Sequence, residues 1–172
     1  MALFCLLGSK LMKGERLIEE EVVALLLEKG YTITCAESCT GGLLCATLVN
    51  VSGASEVLNR SVVTYANEAK AELLGVKEET LREFGAVSEQ TAYEMAMGAA
   101  AFANADVALS VTGIAGPGGG TAEKPVGLVY MGCFVKGKVT VRRCVFLGDR
   151  LQVRTSSVKN ALELAKECIL KY

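Results

Sequence analysis

Histidine is absent from the 172-residue chain. That removes the Ser-His-Asp and Cys-His arrangements outright, so any nucleophile here must find a different base. It also removes the commonest zinc ligand. The seven cysteines (Cys5, Cys35, Cys39, Cys45, Cys133, Cys144 and Cys168) include no CxxC pair, so a metal site is not expected. Their odd number and scattered spacing read as free thiols in a reducing cytosol, not as a disulfide framework. Proline occurs only twice and tryptophan never, while 51% of residues are apolar and 22% charged, the profile of a packed globular fold. A formal charge of −1 leaves no basic excess for tracking phosphates, so nucleic acid is not expected as a partner, although a local anion site is compatible. No apolar run approaches a membrane span. The apolar start at residues 2–7 has Lys10 and Lys13 after it and no basic stretch before it, the wrong order for a secretion signal. A cytoplasmic location is therefore expected.

Periodicity sets out the elements. Residues 15–29 place Ile18, Val22, Leu25 and Leu26 at helical spacing, and Gly30 supplies a stop. Residues 31–36 (YTITCA) form a strand that runs into a turn at 37–42 and then a helix to about Val49. A second strand is expected at 61–65, helices at 67–74 and 77–84, and a long Ala- and Met-rich helix from Ser88 to about Asn104. Residues 107–112 form a third strand ending in the glycine cluster 113–120. Strands at 127–134 and 139–147 are joined around Lys136-Gly137-Lys138 as a hairpin, and Asp149 opens a final helix to Ile169. Strands alternating with helices predict an α/β fold: a mostly parallel sheet covered on both faces, with one antiparallel member from the C-terminal hairpin.

In such a sheet ligands sit beyond the carboxyl ends of the strands, and three unusual segments map there: 37–42, 65–70 and 112–120. The first presents two adjacent nucleophiles, Ser38 and Cys39, at a tight strand-to-helix turn. Exposed amides of Thr40, Gly41 and Gly42 could hold an oxyanion there. The alternative is that Ser38 or Thr40 only caps the next helix. With histidine missing, lysine is the natural base, and Lys70 follows the second strand closely. It lies 32 residues from Ser38, so this is not the local SxxK motif. Tyr65 can relay a proton or simply pack. Cys39 is the stronger nucleophile in principle, but buried structural cysteines are the commoner case. The glycine cluster lacks the Lys-Ser/Thr ending of a Walker loop and does not lead straight into a helix, which leaves an anion nest or a surface loop.

The blocks AESCTGG at 36–42, VTYANEAK at 63–70, GAVSEQTA at 85–92, TGIAGPGGG at 112–120, KPVGLVY at 124–130 and GDR at 148–150 resemble, in order, the signatures of the CinA C-terminal domain family. The likeness runs from about Glu15 to the C-terminus, so residues 1–14 read as an N-terminal extension and 15–172 as a single amidase-type domain. It implies a three-layer α/β/α fold with a five-stranded mixed sheet. It also implies hydrolysis of the carboxamide of nicotinamide mononucleotide, giving nicotinate mononucleotide and ammonia in pyridine-nucleotide salvage, with no metal and no cofactor. Carried over residue by residue, Ser38 is the nucleophile, Lys70 its base, Tyr65 a proton relay or positioning group and Ser55 a further active-site hydroxyl. Glu37, Thr40, Gly41, Gly42, Thr112, Gly113, Gly116 and Gly118 become the expected substrate contacts, with Arg154 from the final helix. The sequence does not separate Arg154 from Arg143 and Arg150 as the phosphate partner.

Two other readings compete: a non-catalytic nucleotide-binding or interaction module, and an amidase for a different small carboxamide. Intact Ser38, Tyr65 and Lys70 weigh against the first. The partner expected is a small nucleotide substrate, with no nucleic acid and no membrane, and an apolar 18.1 kDa domain of this kind is expected to be a homo-oligomer, a dimer.

Overall fold

The computed structural model describes residues 16–172, so the expected extension at 1–14, with Cys5, lies outside the described residues. Helices α1 (Ile18–Lys29), α2 (Leu43–Val49), α3 (Asn67–Leu74), α4 (Glu78–Phe84), α5 (Glu89–Ala103) and α6 (Arg150–Ile169) surround strands β1 (Ile33–Glu37), β2 (Val62–Val63), β3 (Val107–Gly113), β4 (Leu128–Val135) and β5 (Lys138–Val145). The sheet order is β2-β1-β3-β4-β5. Strands β1, β2 and β3 pair in parallel, and β4 is antiparallel to both β3 and β5. Four strands thus run one way and β4 the other, as the alternation of elements predicts. The hairpin turn is tighter than expected, just Lys136 and Gly137, both at positive φ, which suits the twist of paired strands.

Strand alternation divides the core into two layers. Ile33 and Cys35 of β1 and Val107, Leu109 and Val111 of β3 face α1, α2 and α6. Ala36 and Ala108 face α3 and α5. The second face is built from small residues because α5 lies close against it. A Cβ on Gly132 of β4 would stand 2.7 Å from the Ala92 carbonyl oxygen. This is the three-layer α/β/α arrangement. No helix among the described residues is long and apolar enough to cross a membrane.

The chain leaves β1 toward β2 on one side, and β3 then enters on the other. Their carboxyl ends, where the connections diverge, form the crevice in which such sheets place ligands. Strand β2 is only two residues long, shorter than the five expected. The Thr64 amide still donates to the Glu37 carbonyl, and the chain then turns away into α3.

Candidate active site

The turn after β1 is organised by Glu37. Its carboxylate is buried and accepts hydrogen bonds from the amides of Gly42 and Leu44 at one oxygen (3.0 Å each) and of Cys45 at the other (2.8 Å). Helix α2 begins after Gly42, which has no side chain to cap it, so an acidic residue from the preceding strand satisfies its first amides and complements its dipole. Glu37 is therefore occupied beneath the turn and is absent from the cavity lining, in contrast to the substrate contact expected of it. Neither Ser38 nor Thr40 caps the helix.

With the turn held from below, Ser38 stands at its top, 8% exposed, its amide donating to the Val111 carbonyl of β3. Lys70, one turn into α3, is fully buried and points back at it. Nζ lies 3.2 Å from Ser38 Oγ, 2.8 Å from the Thr64 carbonyl oxygen and 3.2 Å from that of Tyr65, with the Ala66 carbonyl at 3.5 Å. Burial holds the Lys70 pKa below its usual 10.5, outweighing Cys39 and Glu68, which act the other way. Cys39 next door is pushed up to about 11, chiefly by burial, and so stays a neutral thiol at physiological pH. Between the two adjacent nucleophiles the lysine engages the serine.

The other sequence-predicted residues separate into those at the cavity and those away from it. A hollow of about 210 Å³ is lined by Ser38, Cys39, Tyr65, Lys70, Thr112 and Gly113, among others. The Tyr65 hydroxyl, on a side chain 63% exposed, sits at the rim and accepts from Arg150 Nη2 at 3.3 Å. Its contact with Lys70 runs through its main-chain carbonyl, so a relay through the phenol is not formed. Thr112 donates to the Ala86 carbonyl at 2.7 Å. Of the turn amides expected to hold an oxyanion, those of Gly41 and Gly42 are engaged by the Ser38 carbonyl and by Glu37. The amides of Cys39 and Thr40 have no acceptor among the described residues.

Ser55 is not near this hollow. It lies in a 3₁₀ turn, Ala54–Glu56, followed by Leu58, which bridges to Ile33 at the start of β1. Ser38 follows the end of the same strand, roughly 15 Å away at about 3.3 Å per residue. Gly118 is exposed and outside the lining. Gly116 offers its carbonyl to Arg150 Nη1 at 2.7 Å. Arg154 donates to the Thr40 carbonyl at 2.6 Å, bracing the turn against α6. Arg150, one helical turn earlier, is the arginine that lines the hollow, and the sequence left these two undivided. A larger hollow, about 830 Å³, lies between α1, α2 and α6, around Leu17, Leu43, Val158 and Leu162; its lining includes no serine, cysteine or tyrosine.

Comparison with known proteins finds relatives in both sequence and fold. Residues 15–169 match the family model described as the CinA C-terminal domain. The CinA-like protein of Kosmotoga olearia is 53% identical over 157 residues, covering 91% of this chain and 38% of its own length. A relative from Clostridium beijerinckii is 51% identical over 166 residues, covering 96% and 40%. The chain thus spans about two-fifths of the curated relatives it matches. Among solved structures, a competence-damaged protein (CinA) superfamily member of Klebsiella pneumoniae superposes with a TM-score of 0.87 at 35% identity, covering 90% of this chain and 97% of that one. The competence/damage inducible protein CihA of Agrobacterium tumefaciens gives 0.81 at 43% identity, covering 89% and 96%.

Proposed function

Because the chain belongs to the CinA C-terminal domain family, we propose that Ser38 and Lys70 are the nucleophile and base of an amidase that converts nicotinamide mononucleotide to nicotinate mononucleotide and ammonia. The observation that carries this reading is the 3.2 Å contact between a fully buried lysine amine and a serine hydroxyl at the ligand-bearing end of the sheet.

The surroundings of Lys70 suit a base. A neutral amine has two N–H donors and one lone pair, and the two nearest of the three carbonyl oxygens around it, those of Thr64 and Tyr65, take the donors. The lone pair is then left facing Ser38 Oγ, which donates its proton as it attacks the carboxamide carbon. The developing oxyanion falls to the amide of Cys39, the turn residue beside Ser38 that lines the hollow. Collapse breaks the C–N bond, and the Lys70 ammonium gives its proton to the departing nitrogen, releasing ammonia and leaving acyl-Ser38. Water then attacks the ester, Lys70 takes its proton and returns it to Ser38, and the acid is freed. No metal is called on in these steps.

In this reading the enzyme works in pyridine-nucleotide salvage as a cytoplasmic homo-oligomer, and the six described cysteines, all free thiols, suit a reducing compartment. The test is ammonia release from nicotinamide mononucleotide. Turnover by the parent protein and by Cys39→Ala, with loss in Ser38→Ala, is the expected pattern. Loss in Cys39→Ala and retention in Ser38→Ala would overturn the serine mechanism, and binding without turnover by the parent would favour an interaction module.

A further inference from the structure

We infer that the groove between α1, α2 and α6 is the docking surface for this chain's own apolar segment at residues 2–7, which lies outside the described residues. This holds whatever the Ser38 site turns over. The groove encloses about 830 Å³, and its walls are apolar: Ile18 from α1, Leu43 from the first turn of α2, and Val158 and Leu162 from α6. Leu17 and Leu170 line it too and stand 60% and 58% exposed. Two leucines of one groove thus lack cover among the described residues, and apolar surface gathered in this way marks a contact site.

The walls suit an apolar stretch of chain better than a small ligand. Small-molecule sites orient their ligand with a few convergent polar groups. Here the two hydroxyls of the lining are spent within their own helices, Thr47 donating to the Leu43 carbonyl at 2.8 Å and Thr155 to that of Leu151 at 3.0 Å. Three of the four lining glutamates are ion-paired: Glu21 with Lys166 at 2.8 Å, Glu163 with Lys159 at 3.9 Å and Glu167 with Arg142 at 2.7 Å. The fourth, Glu19, is balanced by Arg16 in the same lining. No net charge is left to hold an ionic ligand.

Connectivity selects the occupant. Arg16 and Leu17, where the described chain begins, are themselves part of the groove wall. The eight residues 8–15 span up to about 26–29 Å when extended, while the lining from Thr155 to Leu170 follows α6 for about 22 Å at roughly 1.5 Å per residue. The run ALFCLL at 2–7 therefore has the reach to lie anywhere along the groove, and it carries no charged side chain. Tethered in this way, it is present at the groove at an effective concentration on the order of millimolar, which favours it over the same segment of another copy. Its Leu3, Phe4, Leu6 and Leu7 supply the apolar surface that Leu17 and Leu170 lack, and the contact removes both from water.

The experiment uses the whole chain. Thermal melts and sedimentation velocity are compared for the parent, Phe4→Asp, Leu170→Asp and the double variant. The cycle is repeated with Phe4→Ala and Leu170→Ala, which decides by the same rule if an aspartate variant does not fold. Either substitution undocks the segment, so each alone lowers the melting temperature by roughly 4 °C or more, the shift expected when a domain of this size loses a buried apolar contact. The double variant then falls little further, because the contact is already gone, and the mass of the particle stays that of the parent. No shift in either single variant, a shift in only one of them, or shifts that add in full in the double variant overturns the inference. A fall in mass with either substitution also overturns it, by making the groove a contact between copies of the chain.

Discussion

Replacing Gly98 by alanine tests whether the position of Lys70 is set by the packing of α3 on α5. Gly98 lies in the interior of α5, where alanine should gain about 1 kcal/mol by helix propensity alone. The structure opposes that gain. A Cβ on Gly98 would sit 1.8 Å from the carbonyl oxygen of Leu74 and 2.7 Å from its carbonyl carbon. Leu74 ends α3, and its main chain cannot rotate aside as a side chain would. Carbon and oxygen in this setting tolerate about 3.3 Å, so the two helices must part by roughly 1.5 Å. Overpacking of this kind costs about 1–3 kcal/mol or more, which equals or exceeds the propensity gain. A net loss of up to about 2 kcal/mol lowers the melting temperature by up to roughly 8 °C in a domain of this size. Activity should suffer more than stability. Lys70 is one helical turn before Leu74 and 3.2 Å from Ser38, and a displacement of about 1 Å in reacting groups can cost about a hundredfold. The assay is kcat/KM for deamidation alongside a thermal melt. A Gly98→Ala protein that melts higher than its parent and keeps full turnover would refute the reasoning, because the helix would have gained its propensity without moving Lys70.

Three further outcomes follow from the two buried charges, Lys70 and Glu37. Lys70 must be neutral to accept the Ser38 proton, so kcat/KM should climb with pH through an ionisation below the ordinary lysine value of 10.5 and then level off. Lys70→Arg should be inactive across that range, since guanidinium does not deprotonate. The same depressed pKa makes the unfolded chain bind more protons than the folded one between the two lysine values, so the parent's stability rises with pH in that window. Lys70→Met should lack this rise in denaturant titrations at a series of pH values, and an equal rise in both proteins would assign it to another group. Glu37→Gln leaves at least one amide of α2 facing an NH₂ in place of an oxygen, at about 1–3 kcal/mol. It should lower kcat more than it raises KM and leave the pH profile in place; a changed KM alone would put Glu37 at the substrate.

The elements most legible in the sequence are those whose signals are local. Ser88 caps α5 by accepting from the Thr91 amide, and the span 67–74 is read to the residue because Gly75 ends it in a left-handed conformation. Helix α2 is also placed from the sequence, after the 37–42 turn and up to Val49, but its cap is not legible there: Glu37 lies before the turn and is drawn in only when β1 is folded. Lys70 sits in NEAKAELL, a polar stretch that reads as a solvated helix, and its burial is visible only once Thr64, Tyr65 and Ala66 gather their carbonyls around it. Arg150 and Arg154 share one helix a turn apart, and spacing alone cannot say that one reaches the cavity while the other is consumed by Thr40. Ser55 misleads for a related reason. It enters only through the family resemblance, and no local signal shows that α2 carries the chain back to the opposite end of β1.

The proposed base and nucleophile both depend on places where regular structure stops early. Had β2 continued past Val63, pairing alongside β1 would have engaged more of its main-chain groups. Because it ends there, the Thr64 amide still closes the last rung on Glu37 while its carbonyl turns to Lys70. The next two carbonyls, at the start of α3, converge on the same amine. These acceptors orient the lysine without carrying a formal charge. A carboxylate in their place would favour the ammonium strongly and raise the pKa, which would remove the lone pair that the serine needs. Neutral carbonyls let desolvation dominate and the pKa fall. On the other side of the dyad, β1 ends at a residue whose carboxylate is absorbed by helix amides, which keeps the nearest negative charge bound to fixed dipoles below Ser38. In the proposed mechanism a chain without histidine obtains its base from a lysine held by main-chain oxygens, and the short edge strand is what makes those oxygens available.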